Sequence, residues 1–259
     1  MTVALTFDNL GVVADLGRGT WPDGEPLGEH FSVTRVLPRL RALLDETVAR
    51  ATFFVEGRNA ELYPDALREL VADGHEIGCH GWCHEAWSDL DAGEEARLLG
   101  LARDALEAIG VPVRGFRPPG GRLTASTLRL LGEHGFTHCS PAGEGGGVRE
   151  GIALVPFRWA LVDAYHVLPR FAALRERDRG APDELPPAVL RDAIRGAAAA
   201  GGVATLVFHP FLLAGEDRLA VLRDALSAAP AVPLGAVAGE LLRGRDETGG
   251  GLRLDATVA

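Results

Sequence analysis

The side chains best suited to chemistry recur at one kind of place in the 259-residue chain, just after short apolar runs. Asp8 follows Val3–Phe7, Arg117 ends Gly115–Arg117, and His209 follows Val203–Phe208. Asp163 comes soon after Ile152–Val155, and His80 and His84 follow Glu76–Cys79. Two imidazoles four residues apart share a face if the segment is helical, which suits a divalent metal. Carboxylates and imidazoles can also move protons as general base and general acid. Each residue has a blander reading. Asp8-Asn9 could be a turn, Arg117 a structural arginine before Pro118-Pro119, and His209 a satisfied core histidine. The repetition favours chemistry, because strand carboxyl ends in a parallel barrel face one common mouth.

Composition removes competing chemistries. All 26 basic residues are arginine, so a lysine Schiff base and phosphate-binding lysines are excluded. No G-x-S-x-G elbow is present. Cys83 beside His84 is a poor nucleophile pair, since a cysteine and its base usually come from distant positions. A structural zinc site from Cys79, His80, Cys83 and His84 is disfavoured, because such sites draw ligands from two separated segments. The net charge of −10 argues against nucleic-acid and anionic-membrane partners. No apolar run reaches the ~18–20 residues of a membrane span. Three cysteines make a disulfide framework unexpected. Met1 leads straight into the first apolar run without a leader pattern, so a cytoplasmic protein is expected.

Those residues need a scaffold. Val3–Phe7, Ala51–Val55, Glu76–Cys79, Gly115–Arg117, Phe136–Ser140, Ile152–Val155 and Val203–Phe208 read as buried parallel strands, with Val232–Leu234 as a further candidate. Helices are expected from Asn59, as cap, to Ala72; from Asp91, in an acidic capping box with Glu94, to Gly110; and over Thr124–His134, Pro187–Ala200 and Asp217–Ala228. The alternation predicts one α/β domain over 1–259, as a barrel or a doubly wound sheet. Residues 9–30 and 157–186 read as long loops of the kind that form functional lids. Gly143–Gly147 reads as a plain flexible loop, and residues 248–259 as a fraying tail. His75, His134 and His138 look structural; His30 and His166 have no assigned role. Trp21, Trp82, Trp87 and Trp159 lie near the expected mouth, and packing is the expected role for at least two.

Thr6-Phe7-Asp8-Asn9, His80-x-x-x-His84, Phe116-Arg117-Pro118-Pro119-Gly120 and Leu206-Val207-Phe208-His209-Pro210 resemble, in order, the motifs of the polysaccharide deacetylase superfamily. Ala51–Val55 and Asp73–Gly78 are similar to its second- and third-strand signatures. Val155–Tyr165 is similar to a motif of the branch that holds allantoinase-like hydrolases and some peptidoglycan deacetylases. The resemblance covers about residues 2–212. It implies a distorted (β/α) barrel of NodB-homology type with about seven parallel strands. It also implies a hydrolase of amide-type C–N bonds, either an N-deacetylase or a small cyclic amide or imide hydrolase. By position, Asp8 would be the base, Arg117 would hold it, His209 would be the acid and Asp163 would orient His209. His80, His84 and residue 9 would bind a divalent metal, zinc by its ligand types. Trp82, Pro119, Trp159 and Leu206 would line the pocket for a small-molecule or saccharide amide. Monomer and homo-oligomer both remain open.

The chain departs from the motif at Asn9, where the family usually has a metal-binding aspartate. Three outcomes follow: Asn9 coordinates weakly through its carbonyl, Asp8 becomes the ligand, or the site works without metal. Asn9 also motivates a second class of reading, a non-catalytic binding protein on a retired hydrolase scaffold. A third, an isomerase or lyase using Asp8 and His209, rests on the same residues.

Overall fold

The computed structural model describes residues 2–180, 182–244 and 253–254. The strands in chain order are β1 (Thr2–Asp8), β2 (Thr52–Val55), β3 (Glu76–Cys79), β4 (Val113–Phe116), β5 (His138–Cys139), β6 (Gly143–Glu144), β7 (Gly147–Arg149), β8 (Ile152–Leu154), β9 (Val203–Phe208), β10 (Ala231–Val232) and β11 (Arg253–Leu254). β1 is buried almost throughout, as its unbroken apolar run requires in a sheet covered on both faces. It pairs in parallel with β9 along Thr2–Phe7. Its other edge is shared by β10 at Val3 and Ala4 and by β2 at Thr6 to Asp8. From β2 the parallel sheet continues through β3, β4 and β5 to β8. β7 then turns back antiparallel on β8. Beyond β9, a parallel bridge between Val162 and Val207 lies on the side where a closed barrel would continue. The result is the expected distorted, mostly parallel barrel.

The helices are α1 (Val13–Arg18), α2 (Leu37–Glu46), α3 (Asn59–Leu62), α4 (Pro64–Ala72), α5 (Ala92–Ala108), α6 (Thr127–Glu133), α7 (Asp163–Val167), α8 (Ala172–Arg179), α9 (Pro187–Ala200), α10 (Glu216–Ala228) and α11 (Leu234–Arg243). α5 starts as its sequence predicts, with Asp91 Oδ1 accepting from the Gly93 and Glu94 amides at 2.9 Å each. The reciprocal half of the box is missing, because the Glu94 carboxylate bonds Arg97 instead.

Three expectations change. The helix expected over 59–72 is two, broken at Tyr63 (φ −135°, ψ 44°), because the residue before a proline disfavours helical geometry. Asn59 does not cap it; its side-chain amide donates to Glu56 Oε2 at 2.9 Å. The glycine run at 143–147 is an edge of strand rather than a plain loop, pairing with β11 at Gly143 and Glu144 and with β8 at Gly147. The two long loops carry α1, α7 and α8, and α2 and α11 add to the expected helices. Apart from Arg253 and Leu254, the expected fraying tail lies outside the described residues. No described helix is long and apolar enough to cross a membrane.

Candidate active site

A cavity of about 580 Å³ opens at the carboxyl ends of the strands, walled by Asp8, Asn9, His80, His84, Arg117 and His209 together with residues of both long loops. Asp8, the last residue of β1, is 6% exposed. Its Oδ1 accepts from Arg117 Nη1 at 2.7 Å. Arg117, next after β4, is buried; it also donates to Thr6 Oγ1 and Ser140 Oγ, both at 2.8 Å. Its guanidinium carbon lies 4.3 Å from the Phe54 ring centre and 5.0 Å from that of Phe157. Thr6 in turn donates to the Leu206 carbonyl at 2.7 Å, which turns its lone pairs toward Arg117. The Asp8 carboxylate is thus fixed by a side chain that has almost no freedom of its own.

His209 follows β9. Its Nδ1 lies 2.6 Å from Asp163 Oδ1, and its backbone amide donates to Asp163 Oδ2 at 2.8 Å. The Ala164 amide also donates to Asp163 Oδ1, at 2.6 Å. A histidine whose Nδ1–H is given to a carboxylate keeps Nε2 for chemistry. His80 is held in the same tautomer by the Arg117 carbonyl, 2.8 Å from its Nδ1. Burial pushes His80 down to about 4, against the opposing pull of Asp8. Burial and then His80 and Arg18 push His84 well below the usual imidazole range. Both rings are therefore neutral near pH 7.

Asn9 and His84 have positive φ, 58° and 63°, the left-handed region that few non-glycine residues adopt. Oriented to satisfy both neighbours, the Asn9 amide donates to Glu56 Oε1 at 3.0 Å, and its oxygen accepts from Arg18 Nη2 at 3.3 Å. The same Arg18 nitrogen lies 3.1 Å from His84 Nε2. Glu56 is fully buried, and burial pushes its carboxyl up to about 8 despite a backbone bond and the nearby Arg18.

Residues 1–139, more than half of the chain, match the polysaccharide deacetylase family. The chain belongs to this family. It is 39% identical over 113 residues to a chitooligosaccharide deacetylase of Azorhizobium caulinodans, covering 42% of this chain and 51% of that one. A solved Mycobacterium smegmatis structure assigned as a polysaccharide deacetylase superposes with a TM-score of 0.79 at 26% identity, over 100% of this chain and 94% of that one. The structure of the PuuE allantoinase shares the fold, with a TM-score of 0.74 at 16% identity over 95% and 92% of the two chains. The chain spans about a third of the length of several other curated relatives.

Within this family member the expected residues divide. Asp8, Asn9, His80, His84, Arg117, Pro119, Trp159 and His209 all line the one cavity, and Asp163 stands directly behind His209. Trp82 does not belong to the cavity wall; its ring packs against the core over Gly57. Leu206 is fully buried in the core, and strand alternation gives the wall position to Val207. Trp87 borders the cavity but is fully buried, its ring tilted 56° against Phe116 at 4.8 Å. His30 and His166 hold loops, through Ser32 Oγ at 2.7 Å and the Ala160 carbonyl at 3.0 Å. Burial pushes the Cys83 thiol up, which does not suit a nucleophile.

The metal expected from the resemblance does not fit these donors. Residue 9 offers a neutral amide, and both it and His84 already bond one guanidinium. Among the described residues no cluster of three or more His, Cys, Asp or Glu is arranged to hold an ion. Sequence reading passed over Arg18 and Glu56. Glu56 immediately follows β2, so the rule that found Asp8 and Arg117 also points to it. Arg18 ends the short helix α1 rather than a strand and carries no such signal.

Proposed function

We propose that the chain hydrolyses an amide-type C–N bond in a small molecule or saccharide, with Asp8 as base and His209 as acid. The observation that carries this reading is that Asp8, fixed by Arg117, and His209, fixed by Asp163, face one cavity from the ends of neighbouring strands. Asp8 Oδ1 is taken by Arg117, so its other oxygen receives the proton of the attacking water. His209 Nε2 delivers a proton to the departing nitrogen. Base and acid placed this way contribute typically 10²–10⁴-fold each. An N-acetyl amino sugar is one substrate class, by analogy with the chitooligosaccharide deacetylase; a small cyclic amide or imide is the other. The joint presence of acid, base and their positioning partners favours catalysis over the binding-only reading.

The test is to incubate the purified chain with N-acetylated chitooligosaccharides and with a panel of cyclic imides and ureides. Acetate release or ring opening, followed by proton NMR, is the expected result. No turnover in either class would overturn the proposal.

A further inference from the structure

The metal expectation fails at one atom, Arg18 Nη2, which bonds both the Asn9 amide oxygen and His84 Nε2. These groups come from different loops; an ion held by Asn9 would need both, and an ion held by Asp8 instead would still need His84. The placement is built into the fold. Arg18 is the last residue of α1, which stops at Gly19 in the left-handed region (φ 66°). The preceding Gly17 lies so close to the His80–His84 loop that an added Cβ would fall 1.8 Å from the Cys83 carbonyl oxygen. Only glycine lets α1 approach that loop without displacement, and the approach delivers Arg18 to His84. Among the described residues the one carboxylate within 4 Å of the guanidinium is Asp15, with Oδ1 3.8 Å from Nη1 and more than a third of its side chain exposed, and buried Glu56 stands one bond further off, behind Asn9. The charge of Arg18 is therefore only loosely compensated, and Arg18 itself lines the cavity.

We propose that the Arg18 guanidinium stands in the place of the family's metal ion and serves as the cation that meets the reacting carbonyl oxygen, while Arg117 is committed to Asp8. This rests on the hydrolase reading above. Water adds to the amide carbon and gives its proton to Asp8. The C=O electron pair moves onto oxygen, where an Arg18 N–H receives the developing charge. The C–N bond then breaks, its electron pair leaving on nitrogen, which takes a proton from His209, and the acyl group departs as the acid. A guanidinium polarises the carbonyl and stabilises this oxyanion. It cannot acidify water by coordination, so proton removal falls wholly to Asp8.

The test separates the two halves. Zinc chloride is titrated calorimetrically into the untagged, chelator-treated wild type, into Arg18→Lys and into the double variant Asn9→Asp/Arg18→Ala. Wild type and Arg18→Lys should show no stoichiometric binding, and the double variant should take up one zinc per chain, at least about 100-fold more tightly. Stoichiometric zinc in the wild type at the affinity of the double variant overturns the proposal. So does a double variant that keeps the wild-type circular dichroism spectrum and gains no zinc. For catalysis, Arg18→Ala should lose about 10²–10³-fold in kcat and recover part of it with added guanidinium ion; unchanged kcat removes Arg18 from the reaction. If the wild type hydrolyses nothing, the functional reading fails, while the zinc titration still decides what occupies the metal position.

Discussion

Two carboxylate–histidine pairs sit at opposite ends of the same sheet. At the amino ends of the strands, Glu76 of β3 pairs with His138 of β5 at 2.9 Å. At the carboxyl ends, Asp163 pairs with His209 at 2.6 Å. The chemistry of the pairs is nearly the same, but their surroundings differ. The second oxygen of Glu76 accepts from Thr52 Oγ1 and from the Gly235 amide in the first turn of α11, where a carboxylate is favoured by the helix dipole. Burial raises the Glu76 carboxyl, but the bonds from His138, Thr52 and Gly235 outweigh it and hold it below its usual range. That pair is walled in by packing, with the His138 side chain 3% and the Glu76 side chain 19% exposed. The Asp163–His209 pair opens on the 580 Å³ cavity, opposite a carboxylate that is itself pinned by Arg117. A buried carboxylate–histidine pair becomes a functional candidate when one of its atoms is left facing a cavity, and remains structural when packing walls it in.

The largest expected effect that tests this contrast is at Asp8. Asp8→Asn should cost about 10²–10⁴-fold in kcat/KM and also lower the melting temperature, because buried Arg117 loses its counter-charge; retained turnover would remove Asp8 as the base. His209→Ala should lose about 10²–10³-fold, more for amides with poor leaving groups than for activated ones. An equal loss across a leaving-group series would argue against His209 as the acid.

The amino end should respond through stability alone. Burial, with help from Arg50, pushes His75 down to about 4 from 6.5. Between these values the unfolded chain binds more protons than the folded one, so this contribution is present above pH 6.5 and is lost as pH falls toward 4. The loss approaches about 3 kcal/mol at pH 4. Urea midpoints between pH 7 and pH 4 should fall less steeply in His75→Gln, and an unchanged slope would exclude this residue as the cause. The smallest effect concerns the closed pair itself. His138→Ala should leave kcat unchanged and lower stability by about 1–3 kcal/mol, the cost of stripping a buried carboxylate of one partner. A loss of activity without a loss of stability would break the division between the two ends.

Sequence alone determined much of this arrangement, because its signals are local. Continuous apolar runs mark buried strands, and the polar residue that ends each run must emerge at a strand end; this located Asp8, Arg117 and His209. Asp91 started α5 for an equally local reason, since its side chain needs only the next turn's amides. The same local logic failed at Tyr63, where the proline beside it outweighed helical periodicity. Tertiary structure alone decided which ionisable pair faces a cavity and which is closed, and why Val207 rather than Leu206 reaches the wall. It also decided what stands between Asn9 and His84. Arg18 and His84 are 66 positions apart, and no spacing rule joins them. Their meeting depends on Gly17 passing close to the Cys83 backbone, a matter of packed volumes that arises only once helix and loop are pressed together.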